Sequence, residues 1–136
     1  MLIEGILETA LYAEDLDAAE AFYGGVLSLG KVQRAGDRHV FFRCGPGMLL
    51  VFNPAETIKR PPADGLQVPP HGTRGAGHVC FRVAREKLDA MAGALEAAGI
   101  GIESEVVWPN GARSIYLRDP AGNSVECAEP GLWAIS

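Results

Sequence analysis

Apolar and polar residues alternate through several short stretches of the chain, the signature of strands buried on one face. Over 6–13 the alternation puts Leu7, Thr9, Leu11 and Ala13 on one side, with Glu8, Ala10 and Tyr12 on the other. Over 78–83, Val79, Phe81 and Val83 share a side opposite His78, Cys80 and Arg82. Ile115 and Leu117 oppose Ser114, Tyr116 and Arg118, while Val40 and Phe42 oppose His39, Phe41 and Arg43. The period lengthens to that of a helix over 16–28, where Leu16, Ala19, Phe22 or Tyr23, and Val26 form a stripe. Leu88, Met91, Ala92 and Leu95 do the same over about 86–98. Asp15 is placed to cap the first helix, and Gly30 suits the reversal beyond its end. Segment 53–77 follows neither period and holds five of the nine prolines. It fits no central strand or regular helix and reads as a connector between modules.

The elements recur along the chain. Residues 6–30 are similar to 76–100, and GDRHVFFRCGPGMLLV (36–51) aligns without a gap on GARSIYLRDPAGNSVE (111–126). That alignment sets Arg38 on Arg113, Arg43 on Arg118 and Gly47 on Gly122. Each half therefore reads strand, helix, strand, strand, strand. The expectation is an α+β chain with module one at about 1–54, a linker at 55–75 and module two at about 76–136.

Composition narrows the function. At 136 residues, 48% hydrophobic and 21% charged, the chain suits one ordered domain. Its 12 basic against 17 acidic residues give a net charge of −5, which disfavours a phosphate backbone as partner. Cys44, Cys80 and Cys127 form neither a CxxC pair nor an even disulfide set, and read as buried thiols of a reducing compartment. No apolar run approaches the roughly 18–20 residues that span a bilayer, and the N-terminus lacks the basic region of a signal peptide. The expectation is a soluble, cytoplasmic protein that binds neither nucleic acid nor membrane. No dinucleotide, phosphate-loop or nucleophile-elbow glycine motif occurs.

Glu8, His78 and Glu126 stand within otherwise apolar strands, on the face opposite the core residues. Two carboxylates and an imidazole could hold one divalent cation, because the carboxylates neutralise it and the imidazole is a good donor. The plainer reading of each is a half-exposed strand carboxylate or a hydrogen-bonded core histidine.

The segments ETALYAEDLDAAEAFYGGVLSLG, GHVCFRV and YLRDPAGNSVECAEP resemble, in that order, the opening, second-module strand and closing hairpin of the vicinal oxygen chelate superfamily. That family includes glyoxalase I, fosfomycin-resistance enzymes, bleomycin-binding proteins and extradiol dioxygenases. The resemblance implies that the two βαβββ modules pair into a curved mixed sheet with a cup-shaped site and helices on the outer face. It places metal ligands at Glu8, His78 and Glu126 for one divalent ion (Zn, Mn, Ni, Co or Fe). Many members carry His where this chain has Glu8. A fourth ligand known from glyoxalase I would fall on Val51, or on Leu50 if the register slips by one, and neither can coordinate.

His39 and Ser114 are repeat-equivalent and, by alternation, should look into the cup with Phe41 and Tyr116. His39 could serve as general base, as a substrate partner or as a half-buried structural residue. Tyr116 could donate to a bound oxyanion, and Glu126 could also move a proton. Arg82 and Arg118 could clamp an anion, although Arg118 is more simply an ion-pair partner in the Asp119-Pro120 turn. His71 and Arg74 could close over the site. The function expected is a metal-dependent enzyme acting on a small substrate chelated through adjacent oxygens. Glyoxalase-like lyase or isomerase chemistry comes first, with dioxygenase or antibiotic-modifying variants. The alternative is non-catalytic sequestration of a small molecule in a cup lined by Tyr12, Phe41, Trp108 and Tyr116. The resemblance also implies a homodimer.

Overall fold

The alternating stretches form strands and the longer-period stretches form helices, in a computed structural model that describes residues 2–134. The chain divides into two units between Gly75 and Ala76. The first contains β1 (Glu8–Tyr12), α1 (Leu16–Glu20), β2 (Gly30–Ala35), β3 (His39–Cys44), β4 (Gly47–Phe52) and α2 (Pro54–Thr57). Its sheet runs β1-β4-β3-β2, with β1 parallel to β4 and the other pairs antiparallel. The second contains β5 (His78–Arg82), α3 (Leu88–Ala97), β6 (Ser104–Val107), β7 (Arg113–Arg118) and β8 (Ser124–Ala128). Its order, β5-β8-β7-β6, repeats the first, again with only the β5–β8 pair parallel. Each unit is thus the βαβββ module that the sequence predicts. Among the described residues no helix is long and apolar enough to cross a membrane.

The core faces are those the alternation assigned. Leu11, Val40, Phe42 and Val51 are buried in the first unit with Leu16, Ala19, Phe22 and Tyr23 of the helical segment. Val79, Ile115, Leu117, Val125 and Cys127 are buried in the second, as are Leu88 and Leu95 of α3. Asp15 caps α1 as expected, its carboxylate accepting from the Ala18 amide.

Four local features depart from expectation. The first helix is regular only to Glu20 and continues over Ala21–Val26 as a wider turn, in which the Leu27 amide bonds the Phe22 carbonyl five residues back. That turn buries both Phe22 and Tyr23 rather than one, edge to face at 4.9 Å. The left-handed residue that reverses the chain is Ser28, at φ +59, whereas Gly30 already opens β2. The connector begins with one helical turn, α2, capped by Asn53.

The fourth departure moves a site position. Arg43 pairs with Met48 across four intervening residues, whereas Arg118 pairs with Ser124 across five. The second hairpin turn thus holds one residue more, and the repeat is not free of gaps. Beyond the turn, the equivalent of Glu126, which pairs with Cys80, is Leu50, which pairs with Ala10. Val51 is fully buried in the core.

Candidate metal centre

The longer turn is what places the key residues of the second unit. Asp119 accepts from the Ala121 and Asn123 amides, and Gly122 at φ +90 takes the conformation an L side chain resists. Asn123 Nδ2 donates to the second Asp119 oxygen, and Asn123 Oδ1 accepts from the Gly77 amide at 2.7 Å. The residue before His78 is therefore tied to the turn before Ser124, which holds β5 and β8 in register. Arg118 supports the same turn through the Gly122 carbonyl and ion-pairs with Glu103 at 3.1 Å, not with the neighbouring Asp119.

That register brings His78 and Glu126 together, with His78 Nε2 lying 3.4 Å from Glu126 Oε1. His78 Nδ1 is 3.1 Å from the Ser124 carbonyl, which can only accept, so the proton belongs on Nδ1 and the Nε2 lone pair faces the carboxylate. Glu126 is buried at 5% exposure, and its other oxygen accepts from Ser114 Oγ at 2.6 Å. Ser114 Oγ in turn accepts from the Trp108 indole N–H at 2.8 Å. In that tautomer Nε2 presents its lone pair toward Oε1.

Other groups crowd the same carboxylate. The Tyr116 ring stacks beside His78 with centroids 6.5 Å apart. Burial, and next the hydrogen-bonding neighbour Glu126, raise the Tyr116 phenol above its ordinary pKa and keep it a donor. The Cys80 thiol is pushed up to about 12, first by desolvation and then by Glu126. It stays a thiol at neutral pH and is a poor ligand as it stands.

Glu8 lies in the first unit, exposed on β1 and on the same face as Ala10 and Tyr12. The first unit furnishes that face mainly with rings. His39 is 9% exposed and stacks flat on Phe41 at 4.0 Å. Phe52 meets Phe41 at 5.4 Å and His71 at 4.7 Å, both edge to face. His71 reaches Tyr12 Oη through Nδ1 at 2.7 Å, and Arg74 pairs with Glu14. His71 thus packs against Tyr12 and Phe52 of its own unit.

Both nitrogens of His39 are engaged. Nε2 lies 2.7 Å from Gln33 Oε1 and Nδ1 lies 2.9 Å from Arg38 Nη1. A guanidinium only donates, so Nδ1 accepts and Nε2 carries the proton. Burial and then the Arg38 charge lower the His39 pKa, which keeps the ring neutral. Sequence reasoning missed Gln33 and Arg38 as its partners, and missed Trp108 as a donor to Ser114. The Asn110-Gly111 pair after Trp108 was the available signal for that hairpin.

Chemically, a neutral imidazole and a carboxylate form a donor set suited to Zn, Mn, Ni, Co or Fe. The 3.4 Å separation is what two ligands about 2.1 Å from a shared cation span at an angle of roughly 110°. The residues present fit such an ion. Among the described residues no three His, Cys, Asp or Glu side chains gather in one group that could hold a metal ion.

Known proteins bear on this geometry. The model of the Glyoxalase/Bleomycin resistance protein/Dioxygenase superfamily matches residues 5–127. A solved structure of a lactoylglutathione lyase from Agrobacterium tumefaciens is 45% identical, with a TM-score of 0.94, and the match covers 99% of this chain and 100% of that one. A virulence protein from Salmonella typhimurium is 25% identical at a TM-score of 0.72, over 95% of this chain and 98% of that one. A fosfomycin resistance protein from Mesorhizobium loti shares the fold at a TM-score of 0.66 and 20% identity, over 97% of each chain. No curated protein matches the chain in sequence. With the family model spanning both βαβββ modules, this chain belongs to the Glyoxalase/Bleomycin resistance protein/Dioxygenase superfamily.

Proposed function

We propose that the chain is a divalent-metal-dependent lyase whose cation is held by His78 and Glu126. The observation that carries this reading is the His78 Nε2–Glu126 Oε1 pair, two lone pairs turned toward one point. A divalent cation bound there would supply a Lewis acid to two adjacent substrate oxygens. The likeness to a lactoylglutathione lyase suggests the substrate class, since a lactoyl thioester carries a carbonyl and a hydroxyl on neighbouring carbons.

The chain's own groups divide the remaining work. Glu126 Oε1 would take the proton from the hydroxyl-bearing carbon and return it to the neighbouring carbonyl carbon, giving a hemithioacetal that breaks down to a 2-oxoaldehyde and free thiol, because Oε2 is committed to Ser114. Tyr116, kept protonated, donates to a substrate oxygen as charge builds on it. His39 holds Arg38 and packs on Phe41, a positioning task, since its one lone pair already accepts from the guanidinium. The likeness to the same family extends the proposal to a homodimer. β1 and β5 each pair with one strand only among the described residues, and each leaves an edge that another strand can take.

Elemental analysis of protein purified without chelator, joined to an assay of the 2-oxoaldehyde and glutathione formed from lactoylglutathione, tests the proposal. The expected result is about one transition-metal ion per chain and a rate at least about 100-fold lower for Glu126→Ala. Equal metal content and equal rate in the two proteins would refute it. Indifference to every metal, with thermal stabilisation by aromatic ligands, would favour sequestration instead.

A further inference from the structure

We propose that Ser114 and Trp108 are positioning residues that hold the Glu126 carboxylate in its ligating orientation. This inference rests on reading Glu126 as a metal ligand. An indole N–H can only donate, so Ser114 Oγ accepts it at 2.8 Å and the single serine proton is directed to Glu126 Oε2 at 2.6 Å. The relay has one direction. It fixes which carboxylate oxygen is occupied and leaves Oε1 facing His78.

The relay is built into the fold. Ser114 is 1% exposed, so a rotated hydroxyl would find no water to replace either partner. Trp108 is anchored by backbone bonds across the β6–β7 turn, from its amide to the Ala112 carbonyl and from the Gly111 amide to its own carbonyl, both 2.8 Å. Asn110 in the same turn donates to the Gly131 and Leu132 carbonyls, which ties the turn to the segment after β8. The first unit supplies an internal control. Its equivalent of Glu126 is Leu50, and at the place of Ser114 stands His39, turned instead to Gln33 and Arg38. A hydroxyl relay is present where there is a carboxylate to hold and absent where there is none.

Zinc affinity of the chelator-stripped full chain, measured by competition with a chromophoric chelator, tests the inference. Removing an outer partner of a metal ligand typically costs 10–100-fold in affinity. Ser114→Ala should therefore weaken zinc binding by about 10–100-fold, Ser114→Thr should restore it to within a few-fold, and Trp108→Phe should fall between. A second readout keeps the test open should Ser114→Ala fold poorly. In a Trp133→Phe background, zinc should change the Trp108 emission, and Ser114→Thr should preserve that response. If Glu126→Gln loses zinc but Ser114→Ala and Trp108→Phe bind as tightly as the parent, the inference falls and the function stands. If the parent itself binds no zinc, nickel or manganese, both fall.

Discussion

At the strand position where the second unit carries Glu126, the first carries Leu50. Ser114 and Tyr116 in the second unit answer to His39 and Phe41 in the first, and Ala128 answers to Phe52. The arginines at the start of β7 and just before β3 differ as well. Arg113 is neutralised by Glu129 and Asp89, whereas Arg38 meets a histidine and the Phe52 ring. One βαβββ frame therefore carries two chemistries, a donor half and an aromatic half. Core residues on the opposite face keep the same alternation in both, so the frame tolerates the change. Function has diverged on the face that packing does not dictate.

The largest effect should come from testing the register behind this comparison. Val51→Glu sets a charge in the core and should cost on the order of 4–5 kcal/mol in urea unfolding. Leu50→Glu sets it on the site face and should cost about 1–3 kcal/mol. Equal costs would break the equivalence of Leu50 with Glu126.

A smaller difference should separate the arginines. Arg113→Met strands the buried Glu129 carboxylate and should lower the melting temperature more than Arg38→Met. Hydrogen bonding from Arg113 holds the Glu129 carboxyl below its usual pKa of 4.5, so its stabilisation is present above that value and fades as pH falls through the lower folded pKa. The gap between parent and Arg113→Met should therefore narrow in acid. A constant gap down to about pH 3 would contradict the assignment.

The smallest expected effect concerns His39. Its folded pKa lies below the ordinary 6.5, so as pH falls through 6.5 the unfolded chain takes up a proton that the folded ring resists. Stability from the neutral ring is present above 6.5 and declines below it. His39→Gln should flatten the dependence of melting temperature on pH between about 7.5 and 5.5. An unchanged slope would show that Arg38 and burial do not hold the ring neutral.

Much of this was legible in one sequence. Period-two alternation placed Glu8, His78, Glu126, His39 and Tyr116 on the faces away from the core, because strand geometry leaves no other choice. The internal repeat disclosed the module order. The slip from Val51 to Leu50 stayed ambiguous, since a gap-free alignment matches Gly47 to Gly122 and hides the extra residue in the Asp119 turn. The wide turn at Ala21–Val26 was also hidden, because adjacent aromatics at Phe22 and Tyr23 read as alternatives in a regular helix. Trp108 and Ser114 are six residues apart across a hairpin, and no periodicity announces a hydrogen bond between them.

The central claim is that His78 presents its Nε2 lone pair to a cation shared with Glu126. The chain has only three histidines, His39, His71 and His78, so long-range proton–nitrogen spectra of its imidazoles can be read residue by residue. In the stripped protein His78 should show a protonated Nδ1 and a bare Nε2. On titration with zinc, that Nε2 alone should move to the metal-bound range while the His39 nitrogens stay in place, and Glu126→Gln should weaken the response. A His78 resonance that zinc leaves unchanged, or a proton found on Nε2 throughout, would contradict the account.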